Sequence, residues 1–234
     1  TSDGGGIGVV GAGPAGLAAA WRLASAGRSV TVYEAGPEAG GRLRTEEVGG
    51  TGADVAVQLV SSGYERLLEM AESLDAGDLL VEVPGLDALW RGGRAHRVRY
   101  GSLTGMAASG ALPTSLKVRL GLRYVPFLER HARALDLNDP ARAAAAGLDD
   151  ESIAEWGRRE LGDAFVELMA YPLLASYYGV TPEETSAGFF HALARAGMSV
   201  RVLGVRGGVR MLGERLAAGL RGRGVEFRLW QPVT

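Results

Sequence analysis

The 234-residue sequence contains no cysteine. Disulfides, thiolate metal sites and cysteine nucleophiles are therefore excluded. Histidine is nearly as scarce: His96, His131 and His191 are the only three, and their wide separation matches no metal-ligand spacing. They read as surface or core residues, so neither a metal site nor a catalytic base is expected from them. Lysine is reduced to Lys117, all other basic residues being arginine; with the abundance of Ala and Gly, this usage fits a GC-rich bacterial genome. No stretch approaches the roughly 18 apolar residues that span a bilayer, and the N-terminus lacks the basic and apolar regions of a secretory signal. The expectation is a cytoplasmic protein without membrane contact. With 27 acidic and 25 basic residues the formal charge is only -2, too weak a field to mark a nucleic-acid partner.

What the chain does have is the means to bury a core. A sequence of this length with 47% hydrophobic residues suits one large domain or one and a half. Thr1 to Gly6 offer nothing to bury and read as a flexible lead. Ile7 to Val10 is a short apolar run, Ala15 to Ala26 is rich in Ala and Leu, and Ser29 to Glu34 alternates around Val30, Val32 and Tyr33: strand, turn, helix and strand, a βαβ unit. Short strands are expected near Leu43 to Val48 and Ala53 to Val60, and a helix over Tyr64 to Leu74. Arg91 to Arg94 should turn a hairpin between Asp87 to Trp90 and Ala95 to Arg99. From about Ser102 to Gly197 the period becomes helical, with Leu116, Leu120, Tyr124 and Leu128 on one face, and with Ser152 and Glu155 spaced as a capping box. A helix over Val209 to Leu220 and a strand over Val225 to Trp230 complete the reading. The implied organisation is a lead at 1–6, a βαβ unit with its following glycine-rich segment at 7–60, a mostly helical insertion at 61–200, and a return to the sheet at 201–234.

Gly11-Ala12-Gly13-Pro14-Ala15-Gly16 lies between the first strand and the first helix, the context in which a G-x-G-x-x-G spacing binds a dinucleotide. Gly11 permits the tight turn, Gly13 lets a pyrophosphate approach the backbone, and Gly16 lets helix and strand pack closely, while the helix N-terminus offers free N–H groups. Glu34 ends the second strand, 18 residues after Gly16, where a carboxylate can accept hydrogen bonds from a ribose and disfavours a 2′-phosphate. The spacing by itself does not separate FAD from NAD.

Gly40-Gly41-Arg42-Leu43-Arg44-Thr45 matches the G-G-R-x-x-T pattern of the flavin amine oxidase, protoporphyrinogen oxidase and phytoene desaturase group. Together with the turn at Gly11 to Gly16, it makes the sequence resemble the N-terminal portion of that family. Asp54-Val55-Ala56-Val57-Gln58 resembles the family's D-x-G-A-x segment, with Ala56 in place of the usual glycine. Val205 to Val209 with Leu212 and Leu216 is similar to its v-x-G-G-m-x-x-L element, and Val225 to Val233 to the strand and turn that reach the adenine. Glu38 stands at a position often basic in amine oxidases, which argues against a close monoamine oxidase relative. Tyr171-Pro172 and Tyr177-Tyr178-Gly179 look like the substrate side of a protoporphyrinogen oxidase-like protein.

The resemblance implies an α/β fold, a Rossmann-like FAD-binding βαβ domain carrying a mainly helical substrate-domain insertion. Without cysteine, FAD is held noncovalently unless through histidine. Gly11, Gly13, Pro14, Ala15 and Gly16 are implied at the pyrophosphate, Glu34 with Ala35 at the ribose, and Gly41 and Arg42 beside the phosphates. Ala56, Val57 and Gln58 are implied near the flavin ring, and Val233 at the adenine. The implied chemistry is hydride removal from a C–N or C–C bond of a small-molecule substrate, followed by reoxidation of the flavin. No catalytic residue is assigned. Family members continue past the adenine-binding valine, so the fold is expected to be completed by a second polypeptide supplying the C-terminal half. Two alternatives stay open: a NAD-binding oxidoreductase domain that shares only the glycine turn, and a noncatalytic FAD-binding subunit of a two-chain complex.

Overall fold

The structure of the chain, a computed structural model, describes residues 6–56, 59–83, 87–198 and 200–234. In chain order its elements are β1 (Ile7–Val10), α1 (Pro14–Ser25), β2 (Val30–Tyr33), β3 (Thr45–Val48), β4 (Thr51–Asp54), β5 (Val60–Ser61), α2 (Glu65–Ser73), β6 (Leu80–Glu82), β7 (Asp87–Arg91) and β8 (Arg94–Val98). There follow α3 (Leu103–Ala108), α4 (Thr114–Arg119), α5 (Val125–Arg130), α6 (Ala141–Ala145), α7 (Ile153–Glu160), α8 (Asp163–Phe165), α9 (Tyr171–Tyr178) and α10 (Ala187–Gly197). β9 (Val202–Val205), α11 (Val209–Gly222) and β10 (Glu226–Arg228) close the order. The elements gather into two units, residues 1–84 with 201–234, and residues 85–200. The boundary expected at residue 60 thus falls at 84. Its cause is β9, which pairs with β5 on one side and β6 on the other and draws the intervening α2 into the first unit.

In the first unit, β1, β2 and β10 form a parallel sheet with β2 in the middle. Ile7 to Val10 run in register with Val30 to Tyr33, and Glu226 to Arg228 with Thr31 to Tyr33. Parallel neighbours require a crossover, and α1 supplies it between β1 and β2, burying Leu17, Ala20 and Trp21. The second helix on this core is α11, whose Leu212, Leu216 and Leu220 recur every fourth residue and are fully buried. Each such leucine contributes about 1.5–3 kcal/mol. α2 completes the layer through Met70, Ala71 and Leu74. Gly219 of α11 lies so close to Leu74 that an added Cβ would stand 2.9 Å from Leu74 Cβ. The closest approach of all is at the start of α1, where a Cβ on Gly16 would stand 1.8 Å from the carbonyl oxygen of Gly11. Helix and strand can meet there only because that side chain is missing.

The strand expected over Ala53 to Val60 is not continuous. β4 ends at Asp54 and β5 begins at Val60, while Gly49 and Gly50 take left-handed φ values of 60° and 79°. Two such residues make the tight turn that folds β3 back onto β4, with Thr45 opposite Asp54. The side chain of Asp54 is then engaged by α11, so the segment leaves the hairpin there.

The second unit is built around interlocking helices beside the β7–β8 hairpin. Leu116, Leu120, Tyr124 and Leu128 are all buried, although a strict four-residue repeat drifts around an α-helix of 3.6 residues per turn. A wider π turn at Leu120–Tyr124, between α4 and α5, takes back that drift. The Ser152 capping box opens α7, with the Ser152 side chain accepting from the Glu155 N–H and the Glu155 side chain accepting from the Ser152 N–H. Behind it lies a ring cluster. Trp156 and Phe127 stand 4.3 and 4.8 Å from His191, centroid to centroid, and Tyr124 packs edge-on against Phe165 at 5.3 Å. His191 is fully buried, with Tyr124 Oη 3.1 Å from its Nδ1 and no partner among the described residues for its Nε2. Among the described residues, no helix is long and apolar enough to cross a membrane.

Two outcomes follow from this packing. Gly16→Ala should lower stability by about 1–3 kcal/mol or more, measured by urea unfolding, because its new methyl meets backbone rather than a movable side chain. His191 generates a pH dependence. Burial, and to a lesser extent the neighbouring His131, hold its pKa down to about 3 from the ordinary 6.5. Above pH 6.5 it is neutral whether the chain is folded or not; below that, only the unfolded chain gains the proton. Stability should therefore fall by up to about 1.4 kcal/mol per pH unit between pH 6.5 and pH 3. His191→Phe, which keeps a ring in the cluster, should remove that part of the slope in unfolding midpoints taken from pH 7 to pH 4.

Candidate functional site

β1 delivers its last residue to a turn that α1 leaves uncapped. Gly11 has φ 91° and donates its N–H to the Tyr33 carbonyl at 2.8 Å, which ties the turn to β2. Gly13 occupies the N-cap position with extended backbone and contributes no side chain. Pro14 follows as the first helical residue, where its fixed φ suits the helix and its missing N–H costs nothing. Leu17 donates to the Gly13 carbonyl at 2.9 Å. The earlier amides, Ala15 and Gly16, belong to the group that has no acceptor within a helix. Since the first turn carries no acidic residue, the positive end of the helix is left for an anion.

Two further segments converge on this turn. Glu34, just past β2, accepts from the Ala12 N–H at 2.7 Å and from the Gly36 N–H at 2.8 Å, one bond to each carboxylate oxygen. Each oxygen keeps a second lone pair, which suits a hydroxyl donor and repels a phosphate. The loop after β2 then returns: the Gly40 N–H donates to the Ala12 carbonyl at 2.8 Å, and a Cβ on Gly41 would lie 2.8 Å from Gly13 Cα. Gly13 and Gly41 together form a backbone-walled cradle in which a side chain on Gly41 would collide with Gly13. Arg42 is exposed immediately beyond it, as is Ala35 beside Glu34.

The C-terminal segment reaches the same place. Gln231 donates its N–H to the Glu34 carbonyl at 2.9 Å and Trp230 to the Gly36 carbonyl at 3.1 Å, so Val233, 55% exposed, follows two residues after a backbone contact with Glu34. Of the residues expected near a flavin ring, Ala56 is exposed in a bend just past β4; Val57 and Gln58 lie outside the described residues. In the second unit, Tyr177 donates to Asp87 at 3.0 Å and Tyr178 packs edge-on against Phe189, both phenol rings half exposed.

Sequence reasoning missed the supports behind the cradle. Gly213 of α11 faces Gly40, with an added Cβ only 3.1 Å from Gly40 Cα, and Thr45 and Asp54 bond to the first turn of α11. Gly207-Gly208 was the available signal, because a glycine pair before a helix marks a close approach that needs a partner.

The fit of these residues to a dinucleotide rests on the uncapped helix end and the side-chain-free cradle. The family model for flavin-containing amine oxidoreductases matches residues 14–234. The protein AofH of Mycobacterium tuberculosis, classed with the flavin-containing monoamine oxidases, is 30% identical over 208 residues, covering 86% of this chain and 43% of its own length. Coproporphyrinogen III oxidase of Propionibacterium freudenreichii is 28% identical over 180 residues, covering 76% of this chain and 32% of that protein. Among solved structures, cyclohexylamine oxidase from Brevibacterium oxydans shares the fold with a TM-score of 0.66 at 23% identity, covering 97% of this chain and 51% of the other. The chain thus spans between about a third and a half of the length of these proteins, and it belongs to the flavin-containing amine oxidoreductase family.

Proposed function

We propose that the chain is the FAD-binding N-terminal portion of an oxidoreductase that takes hydride from a C–N or C–C bond of a small organic substrate. The observation that carries this reading is the convergence of Glu34 and of Gly40–Gly41 on the uncapped turn before α1. In this reading the amides of Ala15 and Gly16, with Gly11 and Gly13, receive the pyrophosphate, and Gly41 closes over it. Arg42 offers its planar fork to phosphate or ribose oxygens. Glu34, beside Ala35, accepts from ribose hydroxyls through its free lone pairs. The Val233 backbone meets the adenine, and Ala56 to Gln58 run beside the ring. Bound flavin supplies the two-electron acceptor, and the protein supplies position and a dry, ordered surround.

The part of the relatives that this chain does not cover is proposed to complete the site. Val10, Val48 and Val55 are left exposed at 67%, 63% and 49%, and β1 has a strand on only one side among the described residues. Exposed apolar residues and a free strand edge are the kinds of surface that such a half would cover. The protein is proposed to act in the cytoplasm.

The test is the visible spectrum of the purified chain with any co-purifying partner retained, followed by titration with FAD and with NAD. Oxidised-flavin bands at near-stoichiometric intensity, and no competition by NAD, are expected. A preparation that stays colourless with FAD present and a complementing half added would overturn the reading. Glu34→Gln keeps one acceptor but places an N–H donor against the Ala12 or Gly36 amide, and should weaken FAD binding by about tenfold, or ~1.4 kcal/mol.

A further inference from the structure

We infer that Thr45 and Asp54 are positioning residues for the cofactor cradle: by clasping the N-terminus of α11 they hold Gly40 and Gly41 against the turn at Gly13. The inference rests on the FAD reading for the identity of the ligand, and on packing alone for the device.

A helix of 14 residues is ordinarily capped by the side chain that immediately precedes it. α11 is preceded by Gly208, which has none. Its cap comes instead from the base of the β3–β4 hairpin. Asp54 Oδ1 accepts the Val209 N–H at 3.1 Å, and Thr45 Oγ1 accepts the Arg210 N–H at 3.1 Å. Thr45 in turn donates its hydroxyl proton to Asp54 Oδ1 at 2.5 Å, so the two act as one unit. The carboxylate also faces the positive end of the helix dipole. Gly208 is what admits them: with φ 92°, a Cβ there would stand 2.5 Å from Thr45 Oγ1 and 3.1 Å from Asp54 Oδ1.

The clasp is transmitted to the cradle through backbone. Past the first turn of α11, Gly213 abuts Gly40 with no side chain between them; the next residue, Gly41, abuts Gly13 in the same way. The loop also returns to Thr45 only four residues after Gly41. Gly40 and Gly41 have φ values of 127° and 56° and no side chains of their own to anchor them, so their order must be imposed from outside. Arg210 adds an exposed bridge from α11 to Glu38 at 2.9 Å, which contributes little by itself. A loop already held in place needs no ordering when the ligand arrives, and this is the sense in which the clasp raises affinity.

The experiment compares Thr45→Val, Thr45→Ser and Asp54→Ala with Leu74→Ala, which loosens the far end of α11 where Leu74 meets Gly219. Each chain, with any co-purifying partner, is measured for amide hydrogen exchange, for melting temperature and for FAD affinity by titration. Thr45→Val and Asp54→Ala should speed exchange at the Gly40 and Leu43 amides, both hydrogen-bonded in the loop, and weaken FAD by roughly tenfold. Thr45→Ser should restore both properties. Leu74→Ala should lower the melting temperature while leaving exchange at those two amides and FAD affinity within about twofold, since it leaves the clasp's hydrogen bonds intact. Unchanged exchange at Gly40 and Leu43 in Thr45→Val overturns the inference alone. So does a loss of affinity that tracks melting temperature equally in Thr45→Val and Leu74→Ala. Failure of the unsubstituted protein to take up FAD is a separate result and overturns the flavin reading itself.

Discussion

The first unit depends on one close approach, that of α1 to Gly11, the residue that follows β1. Between Gly16 and the carbonyl of Gly11 there is no room for a single carbon atom. The helix therefore begins hard against the sheet, and its first amides open directly above the strand end. Such a turn has no side chains with which to stabilise itself or to grip a ligand. Everything else it needs arrives from elsewhere in the chain: a carboxylate from the end of β2, a glycine pair from the following loop, and a backing helix from a segment nearly 200 residues away in sequence. Glycine costs conformational entropy at each of these places, and the interlocked leucines of α1 and α11 offset that cost by fixing the layer behind them.

The same logic separates what the sequence disclosed from what it did not. The turn from Gly11 to Gly16 was legible because its spacing, the flanking strand and helix, and the acid at Glu34 all fall within one local βαβ unit. Ser152 and Glu155 were legible for the same reason, since a capping box spans four consecutive residues and is complete in itself. Leu116, Leu120, Tyr124 and Leu128 were placed on one face although the π turn that keeps them there leaves no mark in the pattern. By contrast, Gly49-Gly50 between two short strands is a hairpin signal that a longer reading of the Ala53 to Val60 strand obscured. β5 and β6 contain two and three residues and exist through their pairing with β9, so no local period could have drawn the unit boundary at 84. Nor could Thr45 and Asp54 be recognised as a cap, because their helix lies more than 150 residues away.

The two units obtain their order by different means. Around the turn, precision comes from backbone meeting backbone, and specificity from a few acceptors and unpaired amides. In residues 85–200 it comes from side chains: Trp156, Phe127 and Tyr124 pack around an imidazole whose Nε2 has no partner among the described residues, and Phe165 packs edge-on against Tyr124. A buried neutral histidine of this kind sacrifices one hydrogen bond and makes the unit sensitive to acid. Gly157, whose added Cβ would stand 2.6 Å from the Phe165 ring, shows that the helical unit too uses a missing side chain, here to seat a ring instead of a ligand.

In a flavoprotein the dinucleotide end and the reacting end place opposite demands on the chain. The dinucleotide end is the same molecule in every member, so its cradle can be made of backbone, which presents one geometry whatever substitutions surround it. The reacting end must be shaped to a substrate and is built from side chains that vary. In the proposed reading this chain supplies the first demand in full: Gly11 to Gly16, Glu34, Gly40 and Gly41 lie within one unit and brace one another. The second demand falls where β4 gives way at Asp54, and Ala56 is its one described residue here, carrying a methyl in place of the family's glycine. In the proposed reading a methyl set where the backbone passes the ring narrows that side of the pocket.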